Sequence, residues 1–272
     1  MKLRDHRLIL RTYAARKKRL FEIRWGTVAY LTLGTVFTLV SLANAFGLHA
    51  EQPVPTTSST MQPLVTTQPP QQTATTRPPV VLAEDTFQRP DDLQGWKRAS
   101  DGQTWFGDHV WLMSIQQGTG VIAGTNERVT ARLGPMTSNV DVTCTASISD
   151  FVQGQASVGA VVRYSGPNVW DKASLDGTQI AIIQHSPQGN VLLASVPFAA
   201  SAGTMYSIRF RSNGQALDAK AWASGTPEPP DWMIHATDTR LHSGVAGIRV
   251  ILAPNAIVRV TSFVAQSVSQ QQ

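Results

Sequence analysis

Cysteine is almost missing. Cys144 is the only one in 272 residues, so no disulfide can form within the chain and no set of thiolates can hold zinc. Its surroundings, NVDVTCTASIS, alternate apolar and polar residues, and this period of two puts Cys144 on the apolar face with Val140, Val142, Ala146 and Ile148. Nothing adjacent would lower its pKa, so a small buried residue is expected, not a reactive thiol. The marks of several common chemistries are also absent: there is no Gly-x-Ser-x-Gly elbow, no His-Glu-x-x-His and no phosphate loop. The six histidines are scattered, with His6 and His49 on either side of a long apolar run. No metal and no organic cofactor is expected.

Charge is missing from Gly26 to Leu48, GTVAYLTLGTVFTLVSLANAFGL, a run of 23 residues. A hydrocarbon core of roughly 30 Å needs about 20 apolar residues at about 1.5 Å rise each, so residues 26–48 are expected to form a transmembrane helix. Before this run lie nine Lys or Arg against Asp5 and Glu22, a net +7, which leaves −2 on the rest of a chain whose formal charge is +5. Basic residues close to an apolar span hold their side in the cytoplasm. Residues 1–25 therefore read as a basic cytoplasmic tail, and the chain as a single-pass type II protein of the cell membrane with its C-terminal part extracellular. The alternative is secretion after cleavage near Ala45, because Ala43-Asn44-Ala45 offers a small-x-small site. With the basicity confined to a tail, a nucleic-acid partner is not expected.

Residues 49–80 are built from Pro, Thr, Gln and Ser with little to bury, and read as a disordered stalk. Extended polyproline II at about 3.1 Å per residue would give it a reach on the order of 90 Å. Beyond residue 80 no long helical period competes with short β-branched and aromatic runs divided by Gly, Asn, Asp and Pro. Strands are expected at 110–115, 120–124, 128–133, 140–148, 157–165, 169–175, 179–185, 190–196, 206–211, 216–224, 231–236, 244–251 and 256–264. Turn signals such as Asp176-Gly177 and Asn213-Gly214 join them. The fold class is all-β, an antiparallel jelly-roll β-sandwich over residues 81–267, with 268–272 a disordered end. In MYSIRFRS, Tyr206, Ile208 and Phe210 form the dry face, and in ERVTARL, Val129, Ala131 and Leu133 do so. GAVVRY is apolar on both faces, which predicts a central strand.

The segment from Glu84 to Asp108 carries Asp85-x-Phe87-x-Arg89, then Gly95-Trp96, then Gly102 and Trp105. Together with GAVVRYSGPNVWDKASLDG at 159–177, KAWASGTPEPPDW at 220–232 and the closing GVAGIRV and VRVTSFVA, it resembles a concanavalin A-like (laminin-G-like) lectin/glucanase domain of bacterial surface proteins, related to the 3-keto-disaccharide hydrolase family. The resemblance implies a sugar-binding, spacer, adhesive or hydrolytic role. Glucanases of this fold carry their carboxylates as Glu-x-Asp-x-x-Glu on one strand, and no such run is present. Past residue 80 the glutamates are only Glu84, Glu127 and Glu228.

Sugar binding needs an aromatic ring and a few hydrogen-bonding side chains on one exposed sheet face. In VWDKASL, Val169, Ala173 and Leu175 suit the core, which leaves Trp170, Lys172 and Ser174 on the other face. Arg163, the polar member of GAVVRY, is expected to share that face, and Trp222 is out of phase with Leu217, Ala219 and Ala221. Arg163, Trp170, Lys172 and Trp222 are thus the candidate ligand residues, with no catalytic residue expected. Trp96 and Trp105 read as core plugs or loop staples. A non-catalytic module for carbohydrate or a cell-envelope polymer is the favoured function. A hydrolase of the 3-keto-disaccharide type and a structural or adhesive spacer are the alternatives.

Overall fold

Alternating and doubly apolar runs of this kind satisfy their backbone only by pairing with one another. In the computed structural model, which describes residues 78–268, they do so throughout. The tail, the apolar run, the stalk up to residue 77 and the last four residues lie outside the described part. The strands are β1 (Val81–Asp85), β2 (Phe106–Gly107), β3 (Met113–Gln116), β4 (Thr119–Ala123), β5 (Arg128–Thr137), β6 (Val140–Ile148), β7 (Ser157–Gly166) and β8 (Val169–Leu175). There follow β9 (Gln179–Ser186), β10 (Gly189–Pro197), β11 (Tyr206–Asn213), β12 (Ala216–Ala223), β13 (Ile234–Thr237), β14 (Gly244–Ile251) and β15 (Ile257–Ser267). Among the described residues there is no α-helix. The run expected as a strand over 110–115 divides into a 3-10 turn, Val110–Leu112, and β3.

Two antiparallel sheets result. One runs β13-β12-β11-β6-β15-β4-β3, with β1 added alongside β15, and the other runs β10-β9-β8-β7-β14-β5-β2. The strand apolar on both faces, β7, is the middle strand of the seven. The inner faces meet in one core that includes Val129, Leu133, Cys144, Val158, Ala160, Ile208 and Phe210. Cys144 is buried, and desolvation pushes its thiol up to about 12, as the alternation around it predicted.

The opening segment is held by one buried carboxylate. Asp85 accepts hydrogen bonds from the Phe87 N–H (2.8 Å), Arg89 Nη1 (2.7 Å), the Ser100 N–H (3.2 Å) and Trp105 Nε1 (2.6 Å). The rings this gathers pack edge to face and stacked, Phe87 on Trp96 and Trp105, and Trp105 on Phe263. Trp96 and Trp105 are therefore core residues. The Asp-x-Phe-x-Arg spacing exists because a carboxylate out of water must be surrounded by donors.

Candidate functional site

The outer face of the seven-stranded sheet has a groove of about 460 Å³ crossing β5, β14, β7, β8 and β9. Side chains reach it by strand alternation: Arg128 from β5, Arg249 and Ile251 from β14, Ser157 from β7, Trp170, Lys172 and Ser174 from β8, and Ile183 and His185 from β9. Asn168 and Asp176 complete the rim from the turns, and Asn190 from the start of β10. Trp170 and Lys172 are on the face that parity assigned to them. They are not exposed, however: Trp170 keeps 4% of its surface and Lys172 2%.

The burial has a structural cause. The Trp170 indole stacks on His185, with centroids 4.8 Å apart at 22°, and the Arg249 guanidinium sits 4.5 Å from the indole centroid. His185 comes from the strand paired on one side of β8, and Arg249 from the strand beyond β7 on the other. The ring is thus enclosed between them, and its Nε1 donates to the Pro167 carbonyl (3.1 Å). Val161, Tyr164 and Ile183 pack against it as a small apolar cluster on the outer face. The Lys172 stem lies across Gly159, where a Cβ would come within 2.9 Å of Lys172 Cε and 1.9 Å of the Ala173 carbonyl oxygen. This close approach is why β7 has glycine there.

Arg163 is a correction. It was expected on this outer face, but it lies fully buried between the sheets. The β7–β8 register breaks between Val162 and Gly166, and Arg163 adopts φ 52°, so the bulge turns two consecutive side chains inward. There it donates to Asp171 Oδ2 (3.3 Å) and to the Gly214 carbonyl, with Asp238 at 3.9 Å. Burial and the Asp238 charge push Asp171 up to about 7 despite Arg163. Trp222 is separated too: it is half-buried on β12, beside Ser207, in the other sheet. Of the four candidates only Trp170 and Lys172 meet.

Lys172 Nζ donates to Ser157 Oγ (3.0 Å), and burial, with the Arg249 charge adding to it, lowers its pKa to about 7. Arg249, lowered mainly by burial, donates to Thr130 Oγ1. Asp176 is the one carboxyl on the lining. Burial works against its charge, but hydrogen bonds from Thr178 and Gln179 hold it below the usual carboxylate range.

The outer face of the eight-stranded sheet is also cationic, but three of its cations around Trp232 are paired, while Arg259 on β15 is exposed without an ion pair among the described residues. Arg209 pairs with Asp141 (2.8 Å) and Glu228 (2.6 Å), Lys220 with Glu228 (2.7 Å), and Arg211 with Asp218 (2.7 Å), all three cations lying within 5.5 Å of the Trp232 ring. Glu228, in the turn of the Thr-x-Glu-Pro segment, thus serves as a bridge between two cations.

Arg128, Arg249, His185 and Asn190 were not singled out from the sequence. His185 was within reach, since it faces Trp170 directly across the hairpin closed by Asp176-Gly177. Asn190 pairs with His185 in the next hairpin, whereas Arg128 and Arg249 arrive from strands distant in sequence.

No protein-family model and no annotated protein matches the sequence. Solved structures do. The carbohydrate-binding module CBM66 from Bacillus subtilis matches at 12% identity and TM-score 0.43, over 53% of this chain and 85% of that one. The GH43 protein BlXynB from Bacillus licheniformis matches at 16% identity and TM-score 0.50, over 68% of this chain and 39% of that one. A legume lectin-like domain from Entamoeba histolytica matches at 10% identity and TM-score 0.47, over 60% and 90%. The chain thus spans about two fifths of the GH43 protein. What it shares with the GH43 protein is the fold, a concanavalin A-like sandwich.

Proposed function

From a concanavalin A-like sandwich with a polar groove on its outer sheet, we propose that this chain binds carbohydrate through that groove and does not hydrolyse it. One observation carries the reading: the groove's rim and floor combine hydrogen-bond donors and amides (Lys172, Arg249, Ser174, Asn168, Asn190) with a single carboxyl, Asp176. Glycoside hydrolysis uses two carboxyl groups about 5 to 9.5 Å apart, one of them protonated as general acid. Asp176 stands alone there and is held ionised by its hydrogen bonds. Asp171, its nearest relative in sequence, points the other way, between the sheets.

The domain is held outside a membrane, with residues 26–48 as anchor, residues 1–25 inside and the Pro- and Thr-rich stretch as spacer. Support comes from the uncharged run and the nine basic residues that precede it. Two measurements test the proposal. A glycan array probed with the protein is expected to give saturable binding to a defined set of sugars, and no signal on any sugar would leave only a spacer role. Protease treatment of intact cells is expected to release the sandwich. A protected domain would reverse the assigned topology.

A further inference from the structure

We infer that the saccharide this groove accepts is acidic, a sugar polymer bearing carboxylate or phosphate groups. The inference rests on the groove being a sugar site and adds the charge of the sugar. Arg128, Lys172 and Arg249 line the groove from three different strands, and none forms an ion pair with any described carboxylate. Against them stands Asp176, whose oxygens already accept from Thr178 and Gln179. Arg132, next along β5, is also without an acidic partner and lies 4.6 Å over the Tyr164 ring.

This is not the by-product of a basic domain. Past the N-terminal 25 residues the chain sums to −2, and on the opposite outer face Arg209, Arg211 and Lys220 are each matched by a carboxylate within hydrogen-bond distance. The same fold therefore pairs the cations clustered on that face around Trp232, apart from the exposed Arg259, and leaves all three in the groove unpaired. Lys172 and Arg249 are both buried and unpaired, which is costly, and the loss is recovered when an oxyanion brings charge-assisted hydrogen bonds to them, with the exposed Arg128 adding its charge at the rim.

Donors are free for the purpose. Lys172 commits one of its three N–H groups to Ser157, and the one side-chain acceptor Arg249 has is Thr130 Oγ1. A neutral sugar, in contrast, is held largely by stacking on an open aromatic face. The groove's only indole, Trp170, is enclosed by His185 and Arg249. Ionic recognition is what remains on offer, and the spacing across β5, β14 and β8 suits anionic groups repeated along a polymer.

The test titrates the full chain, in detergent micelles, with polygalacturonate and with phosphomannan. Each is set against its neutral counterpart, methyl-esterified pectin and dephosphorylated mannan. At least one acidic polymer is expected to bind about tenfold or more tightly than its counterpart, and to weaken as salt rises from about 50 to about 500 mM. Whichever acidic polymer prevails distinguishes carboxylate from phosphate. Arg128→Gln and Arg249→Gln are each expected to lower that affinity about tenfold, the scale of one charged hydrogen bond, while Arg209→Gln on the opposite face leaves it unchanged. Arg249 packs on Trp170 and its variant can fail to fold, but Arg128 is exposed, so that variant carries the test by itself. Equal binding of acidic and neutral polymers overturns the inference while sugar binding stands. Binding that survives the groove variants belongs to the basic tail and overturns it as well. Binding of no polymer overturns both readings.

Discussion

Replacing Lys172 with Met should stabilise the fold at pH 6, by an amount that disappears toward pH 10. The ammonium is buried with one neutral acceptor, Ser157 Oγ at 3.0 Å, and a repelling guanidinium nearby, so its pKa falls from 10.5 to about 7. Between those values the unfolded chain binds the proton that the folded chain releases. Stability therefore rises with pH across that window, and below pH 7 the full penalty is present. At about 1.4 kcal/mol per pH unit the interval is worth roughly 4 to 5 kcal/mol. A groove that admits water allows the side chain to relax, and about half is a sounder figure. Methionine keeps an unbranched stem over Gly159 but leaves Ser157 without its partner, at a cost of about 1 kcal/mol. The expected net gain at pH 6 is then about 1 to 2 kcal/mol. Urea unfolding followed by tryptophan fluorescence at pH 6, 7.5 and 9 measures it, provided the m-value stays constant. If the variant is less stable at pH 6, or if the two pH profiles run parallel, the ammonium is not desolvated and the account of the groove's charge is wrong.

Trp170→Ala should lower stability by about 3 kcal/mol, because it empties the space between His185 and Arg249. A melting temperature within about 2 °C of the parent would show the ring to be exposed. Asp171 binds a proton on folding, so its contribution is complete below pH 4 and is lost as pH rises through about 7. Asp171→Asn should flatten that decline and raise the melting temperature at pH 8, Arg163 retaining Asp238. A lower value at pH 8 would mean that the Arg163 pair outweighs desolvation. Cys144 should resist a thiol reagent such as dithionitrobenzoate in the native protein and react fully in urea. Native labelling within minutes would contradict its burial.

What could be read from the sequence was local. Alternation placed Tyr206, Ile208 and Phe210 in the core and turned Trp170 and Lys172 outward, since a strand's phase is a property of the strand alone. It failed at Arg163 because VVRYSG gives no sign of a bulge, and the one extra residue that β7 carries there against β14 inverts the facing of the side chains that follow. Phase also says nothing about which sheet a strand joins. Trp222 was assigned a face correctly, yet it lies on the sheet opposite Trp170. Arg249 escaped for a related reason: it reaches the groove only because β14 inserts between β5 and β7, a pairing that no local pattern announces. Likewise Trp170 looked like an exposed platform because its covering groups, His185 and Arg249, come from other strands.

Asp171 and Lys172 are joined by one peptide bond and face opposite sides of the same sheet. Chain length in the β7–β8 turn, Pro167-Asn168, therefore controls the electrical sign of each side. Slipping β8 by one residue would bring the Asp171 carboxylate into the groove and drive Lys172 against Arg163 between the sheets, inverting both environments at once. Libraries meant to vary the groove should hold that turn fixed in length. The β9–β10 turn is different: β10 pairs only with β9 and has exposed side chains. Inserting residues between Ser186 and Gly189 would build the wall upward beside His185 and Asn190 without changing any strand's phase.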